Sequence, residues 1–260
     1  HVPFLEKIQL LKDIRHSRYD MVIDLKNSFI GSFSGARYRS PIKRGYKPGM
    51  HMQDVHLFKI CRFCTGLDKT RRRLYVSQSD RDAAHYMCLH IDPKKMRVVI
   101  NPTAKSSIKR WHADYFARLG TMILKQYNAH IILVGQKTDA RRAEIILSKI
   151  GANVTNLCGK TNVQQLAAII ERADALVTND TATMHIAGLY PHCRVCAIFG
   201  PTNHHAYGPL NPHRVVARLD IRCSPCEKAR CRKGANECMG DLTPEMVFEQ
   251  FQNLVQNEAF

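Results

Sequence analysis

Six short apolar runs, alternating with segments of helical spacing, constrain this chain more than any other feature. They are residues 96–100 (MRVVI), 129–134, 154–157, 175–177, 195–199 and 215–217. A strand with so little polar interruption is buried on both faces, and only helices packed on each side of a parallel sheet bury it that way. The intervening segments supply those helices. Residues 111–127 place Tyr115, Phe116, Leu119, Met122 and Ile123 on one face, and residues 140–150, 163–172 and 183–188 have similar spacing. A closing amphipathic helix over 246–255 follows Thr243, an N-cap residue, and Pro244 at its first position. The expectation is an α/β fold with a parallel sheet.

The N-terminal part is read less directly. Residues 4–14 have helical spacing. YDMVIDL (19–25) reads as a buried parallel strand, and 26–34 as a loop or helix start. RYRSPIKRGYK then interleaves Arg37, Arg39, Lys43, Arg44 and Lys47 with Tyr38 and Tyr46. Such a run holds phosphates or a charged sugar, or it is a solvent-facing loop. Residues 55–64 read as a helix and 71–76 as a basic segment entering an edge strand. Residues 79–90 read as a helix with Asp80 and Asp82 in its first turn. DPKK (92–95) breaks the pattern and is the expected linker. Three segments follow: 1–92, 93–242 and a closing helix at 243–260.

Charge narrows the partners. Of a formal net charge of +17, residues 1–80 carry 16 basic and 7 acidic side chains, so the first third is the most densely basic. Basic surfaces attract phosphates on nucleic acid, anionic lipid or nucleotide. No apolar run approaches the ~18 residues of a membrane span, no signal peptide opens the chain, and a reducing cytosol is expected for the ten cysteines. Cys61 with Cys64, and Cys193 with Cys196, read as packing residues. Cys223, Cys226, Cys231 and Cys238 form a four-thiol spacing suited to structural zinc or an iron–sulfur cluster, with unligated reduced thiols as the alternative.

Chemistry gathers at strand ends, where parallel sheets bind ligands. The first loop offers Thr103, Ser106, Ser107 and Lys109, donors suited to a diphosphate. The second ends in Asp139, an acceptor for ribose hydroxyls. The third offers Asp180, Thr181, Ala182 and the start of a helix. His185, inside an apolar turn, reads as a hydrogen-bonded core histidine ahead of an acid or base.

The motifs NDTATMHIAGLY and CAIFGPTNHHAYGP resemble the D-[ST]-[GA]-x-x-H-x-A and FGPT…GP signature of glycosyltransferase family 9. That family comprises the lipopolysaccharide heptosyltransferases, of GT-B type with two Rossmann-like domains. INPTAKSSIKRWHADYFARL, VGQKTDARRAEII and YDMVIDLKNS resemble further stretches of the family. CSPCEKARC with CMGDLTPEMV resembles the cysteine-bearing tail of its heptosyltransferase II type. The resemblance covers most of the chain from Tyr19 onward.

It implies an inverting transferase moving heptose from ADP-heptose to the inner core of a bacterial lipopolysaccharide precursor. No cofactor is required for catalysis. The enzyme is expected in the cytoplasm, peripheral at the inner membrane. Thr103 and Lys109 would face the diphosphate, Asp139 the ribose, and Asp180, Thr181 and Ala182 the sugar end, with His185 among the donor-binding residues. Arg37, Arg39, Lys43 and Arg44 would serve the anionic acceptor.

Three positions depart from the family pattern: Thr103 stands for a Gly, Asp139 for a longer Glu, and Asn203, His204 and His205 for a more proline-like loop. The family's opening strand and Gly-Asp loop, whose Asp is taken as the base, have no counterpart in residues 1–20. The N-terminal domain is therefore expected to be incomplete by roughly 60 residues, about two βα units, and the 260 residues alone to be inactive. Two other readings compete: the same fold with another nucleotide-sugar, and a basic nucleic-acid-binding protein with a zinc-binding tail. No helix-turn-helix or RNA-recognition signature supports the latter, and no nucleic-acid partner is expected.

Overall fold

The computed structural model describes residues 4–26, 28–40, 42, 49–61, 63–64 and 74–256. The chain divides into two compact units, His1–Arg71 and Arg72–Phe260.

In the first unit, α1 (Phe4–His16), β1 (Met21–Val22), α2 (Ile30–Phe33), β2 (Tyr38–Arg39) and α3 (Met52–Cys61) follow one another. β1 pairs in parallel with β2, Met21 opposite Tyr38. The buried seven-residue strand expected at 19–25 is thus only two residues long, and Tyr19 and Met21 are exposed. The run is apolar, but its described partner is equally short, so among the described residues its sheet has only two strands. The aliphatic stem of Lys59 is fully buried, and its ammonium donates to the Asp24 carbonyl at 2.7 Å.

The second unit begins earlier than the expected boundary after residue 92. Residues 74–77 form no strand, contrary to the edge strand expected there. Helix α4 (Gln78–Met87) starts on Ser77, whose hydroxyl accepts from the Asp80 N–H at 3.1 Å. Ala84 and Cys88, with Ile91 just beyond, share a core cluster with Val99, Ile132 and Leu176. That shared core is why 72–92 belong to this unit. The linker expected at 92–95 is a turn within it: Lys94 and Lys95 N–H groups donate back to Asp92.

From there β strands and helices alternate. They are β3 (Met96–Asn101), α5 (Ala113–Gln126), β4 (Ala129–Leu133), α6 (Ala140–Ile150), β5 (Val154–Asn156), α7 (Val163–Glu171), β6 (Ala175–Asn179), α8 (Ala182–Ala187), β7 (Arg194–Ile198), α9 (His204–Tyr207), β8 (Arg214–Ala217), α10 (Glu237–Gly240) and α11 (Pro244–Gln256). The six strands β3 to β8 are all parallel, in the order β5-β4-β3-β6-β7-β8. Counted within the unit this is 3-2-1-4-5-6, the doubly wound order, and the strand order reverses between β3 and β6.

Alternate residues of β3 serve opposite faces. Val98 and Ile100 join Trp111, Phe116, Leu119, Ile123, Ile146 and Phe251 on one side. Val99 joins Ala167, Ile170 and Met184 on the other. Each fully buried aliphatic or aromatic side chain contributes about 1.5–3 kcal/mol before entropy is counted. Gly120 lets α5 approach α6 and the sheet: a Cβ there would sit 2.6 Å from Ile150 Cδ1 and 2.9 Å from Ile131 Cδ1. The expected cap of α11 is present, with Thr243 Oγ1 accepting from Met246 N–H at 3.4 Å.

Candidate functional site

The carboxyl ends of β3 and β6 lie side by side at the reversal of strand order, Asn101 opposite Thr178 in register. Each strand ends in an asparagine, and both asparagines are buried, Asn101 at 5% and Asn179 at 0% exposure. An amide has two donors and two acceptor sites, so it can tie several loops at once. Asn101 Oδ1 accepts from the Thr103 N–H at 3.1 Å and the Thr103 hydroxyl at 2.9 Å, while its Nδ2 donates to Thr183 Oγ1 at 2.6 Å. Asn179 Oδ1 accepts from the Trp111 N–H at 3.2 Å, and its Nδ2 donates to the Thr103 carbonyl at 3.2 Å. The loop after β3 and the turn after β6 are thereby fixed to each other. The alternating pattern gave no signal for these two residues beyond a polar side chain at the last position of an apolar strand.

On this frame Lys109 Nζ donates to Asp180 Oδ2 at 2.6 Å. Thr103 is buried, and its hydroxyl is engaged by Asn101. Thr181 Oγ1 stands 3.1 Å from Thr178 Oγ1. Ala182 opens α8 and is exposed. His185 is exposed too, contrary to its expected place in the core. The buried positions of α8 are Thr183, Met184 and Ala187, and residue 185 falls off that face.

Asp139 approaches from β4. A Cβ on Gly135 would be 3.4 Å from Thr103 Cγ2 and 3.6 Å from Asp139 Oδ2, so both flank the same glycine. One carboxylate oxygen is already engaged, since Oδ2 accepts from the Gln136 N–H at 3.1 Å. Beside it stand two guanidinium groups not singled out from the sequence. Arg142 Nη1 donates to the Trp111 carbonyl at 3.0 Å and Arg110 Nε to the Ala104 carbonyl at 2.6 Å. Burial, and then the neighbouring Arg110, hold Arg142 below its ordinary pKa, while Asp139 acts in the opposite sense. Arg110 and Arg142 thus stand together beside Asp139, while Lys109 pairs with Asp180 after the neighbouring strand, and cationic side chains at such strand ends attract a polyanion.

Among the acceptor-side candidates, Arg37 lies 5.3 Å from the Tyr38 ring centroid, and Arg39 Nη1 donates to the Ser32 carbonyl at 3.1 Å. Both are exposed in the first unit. Lys43 and Arg44 lie outside the described residues. In the second unit, Asn203 Oδ1 accepts from the His205 N–H at 3.0 Å, and the rings of His204 and His205 are 4.0 Å apart.

The last four cysteines line one cavity of about 270 Å³ together with Ile108, Pro201, Lys228, Arg232, Lys233, Asn236 and Glu237. Among the described residues, no three His, Cys, Asp or Glu side chains are gathered closely enough to hold a metal ion as they stand. Cys193 and Cys196 are buried packing residues, as expected, with thiols pushed up to about 12 by burial. Cys61 and Cys64 are exposed instead.

Residues 53–236 match the model of glycosyltransferase family 9 (heptosyltransferase). Lipooligosaccharide heptosyltransferase 2 of Campylobacter jejuni serotype O:2 is 36% identical over 162 residues, 61% of this chain and 50% of that protein. The serotype O:6 counterpart is 35% identical over 159 residues, again 50% of its length. The chain spans about half the length of the curated relatives it matches. Among solved structures, Escherichia coli ADP-heptose lipopolysaccharide heptosyltransferase II superposes with a TM-score of 0.71 at 23% identity, over 98% of this chain and 82% of that one. A family 9 glycosyltransferase from Veillonella parvula gives 0.74 at 17% identity, over 98% and 80%. E. coli heptosyltransferase WaaC with ADP gives 0.62 at 15% identity, over 96% and 77%. At such identities these likenesses establish the GT-B fold.

Proposed function

The chain belongs to glycosyltransferase family 9, and from that premise we propose that it moves a heptose from ADP-heptose to the inner core of a lipopolysaccharide precursor, with inversion at the sugar carbon. The observation that carries the reading is the Lys109–Asp180 contact, 2.6 Å long, at the point where the strand order reverses. The ammonium sits where a nucleotide diphosphate rests on doubly wound sheets. Lys109, with Arg110 and Arg142, would offset the charge that develops on the departing ADP, an electrostatic stabilisation of the transition state. The free oxygen of Asp139 would accept from a ribose hydroxyl. Asp180, Thr181, Ala182 and His185 would line the sugar end. Thr103 would contribute through its backbone and through Asn101, since its hydroxyl is engaged inward.

The acceptor is an anionic glycolipid, and the exposed Arg37 and Arg39, with Lys43 and Arg44, would bind its phosphates and acid sugars. The net charge of +17 suits work against an anionic membrane surface. None of the described helices is long and apolar enough to cross a membrane, which fits peripheral attachment at the cytoplasmic face of the inner membrane. No residue of this chain is assigned the base that deprotonates the acceptor hydroxyl.

A ligand that binds only the folded state raises its melting temperature. ADP and ADP-heptose should each do so, and UDP-sugars and a mixed-sequence oligonucleotide should not. Stabilisation by UDP-sugars alone would move the reading to another donor of the same fold. Stabilisation by the oligonucleotide alone would replace it with nucleic-acid binding.

A further inference from the structure

We propose that the loop 221–236 is a docking surface for an anionic phospholipid bilayer, and that it turns the rim carrying Lys109 toward the membrane. The inference rests on the reading that the acceptor is a membrane glycolipid. Residues 72–260 carry 25 basic and 16 acidic side chains, net +9, and 221–236 alone carry five basic and one acidic, net +4. Nearly half of the unit's net charge therefore sits in one loop.

Arg222, Lys228, Arg230, Arg232 and Lys233 are all exposed. Elsewhere in the unit, exposed cations have acidic partners: Arg118 pairs with Glu245 and Lys149 with Asp114. In the loop, Lys233 reaches Glu237 at 3.2 Å, and among the described residues Arg222, Lys228, Arg230 and Arg232 are in no ion pair. A surface that serves only solubility intersperses the two signs. A cluster of one sign on a single segment is what anionic lipid head groups attract. Lys228, Arg232 and Lys233 line the cysteine cavity and Arg222 and Arg230 do not, so the charges are spread over a surface instead of converging on one anion.

The loop is held in place. It contains no helix or strand, yet the Cys226 and Glu227 N–H groups both donate to the Pro201 carbonyl, at 3.1 and 2.7 Å. Ser224 Oγ donates to the Gly200 carbonyl at 2.6 Å, and Asn236 Nδ2 to the Ile108 carbonyl at 3.2 Å. Gly200 and Pro201 follow the end of β7, and Ile108 precedes Lys109. The cations are thereby fixed at the carboxyl end of the sheet, on the rim of the Lys109–Asp180 contact, and meet a membrane without first being ordered. The exposed residues among them include Pro225, Ala229, Gly234 and Ala235, and no large apolar side chain of the loop is exposed to enter hydrocarbon. The contact is therefore electrostatic and salt-sensitive.

The test is flotation of the full chain with vesicles. It should bind vesicles of phosphatidylglycerol and phosphatidylethanolamine, ignore phosphatidylcholine, and be released by about 0.5 M salt. Each cation near an anionic bilayer contributes roughly a fivefold factor, so Lys228→Ala, Arg230→Ala and Arg232→Ala combined should weaken binding about 100-fold. Lys94→Ala, Lys125→Ala and Arg141→Ala combined remove the same charge from exposed positions elsewhere in the unit. That control should lose less than about tenfold, because charges held away from the membrane are screened. In the unaltered chain, anionic vesicles should slow amide exchange across 227–236 at least about threefold and leave 140–150 unchanged. This last readout decides if the loop variant does not fold.

The proposal is overturned if the loop variant binds like wild type or weakens no more than the control. Binding that survives high salt, or no slowing of exchange in 227–236, would overturn it too. So would slowing of the same amides by soluble glucosamine 6-phosphate alone, which would make the loop a discrete phosphate site. An oligonucleotide held through the same three side chains, with vesicles ignored, would give the surface to nucleic acid instead. None of these readouts involves ADP, so the membrane surface and the donor reading can fail separately.

Discussion

Replacing Lys109 with Met removes one charge and keeps most of the stem's volume. The Lys109 side chain is 32% exposed and Asp180 only 10%, so the pair is partly shielded from water. An exposed pair is worth about 0–1 kcal/mol. Leaving the more enclosed Asp180 without its partner should cost about 1 kcal/mol of stability, which the fold tolerates. The effect on nucleotide should be larger, because a charge-assisted hydrogen bond to phosphate contributes about 1.5–3 kcal/mol, a 10- to 150-fold change in affinity. ADP at 100 times its wild-type Kd adds about 2.7 kcal/mol to stability, and in a variant weakened 100-fold the same ADP adds only about 0.4 kcal/mol. For a unit of this size that is a melting shift of roughly 5–11 °C reduced to about 1–2 °C. Asp180→Asn is the counter-experiment. It deletes a carboxylate that competes with phosphate for the ammonium, so ADP should bind at least as tightly as before. Unchanged ADP affinity in Lys109→Met would refute the reasoning. So would an Asp180→Asn loss as large as that of Lys109→Met, since the nucleotide would then depend on the carboxylate.

Other perturbations read the frame rather than the ligand. Asn101→Leu strands the Thr103 N–H and the hydroxyls of Thr103 and Thr183, and should cost about 2–4 kcal/mol in denaturant unfolding; a cost near zero would mean water satisfies these groups. Gly200→Ala puts a methyl 2.5 Å from Met239 Sδ and 3.0 Å from Cys238 Sγ, and should destabilise by about 1–3 kcal/mol of overpacking. A melting temperature equal to wild type would show that Met239 simply moves aside. His130 is held neutral by burial, and then by His90, Lys95 and Arg97, with its pKa lowered to about 4. Its folded value lies below its unfolded value, so its contribution is full above pH ~6.5. It should decline as pH falls toward about 4, at no more than ~1.4 kcal/mol per pH unit. His130→Gln should flatten that limb; an identical pH profile in the variant would exclude His130 as its source.

The sheet was legible because its strands announce themselves. Val98, Val99 and Ile100 are consecutive with no polar residue among them to choose a face, and only a doubly covered parallel strand satisfies all three. YDMVIDL carries a similar signal in the first unit, yet pairs over just two residues. An apolar run records that burial is wanted and says nothing of whether a long partner is available. Lys109 and Asp180 were visible as charges beside strand ends. What joins them was not, because Asn101 and Asn179 act through amide geometry between segments far apart in sequence. Arg110 and Arg142 read as ordinary surface bases, since their proximity depends on how the loop after β3 meets the start of α6. The placement of α4 was missed for a related reason. A proline and two lysines at 93–95 look like a break between domains, but Ala84 and Ile91 are committed to the core that follows.

The strand order carries a consequence for how the protein comes into being. β3 is made first but lies in the middle of the sheet, and its neighbour β6 begins at Ala175. While ribosomes are still making the intervening 102–174, one edge of β3 has no strand to meet. The asparagine ties across that seam therefore close late, and a nascent chain stalled before residue 175 would hold the lysine without its aspartate. Two fragments cut between α7 and β6 would each carry half a grip, and nucleotide binding would return only when they are mixed.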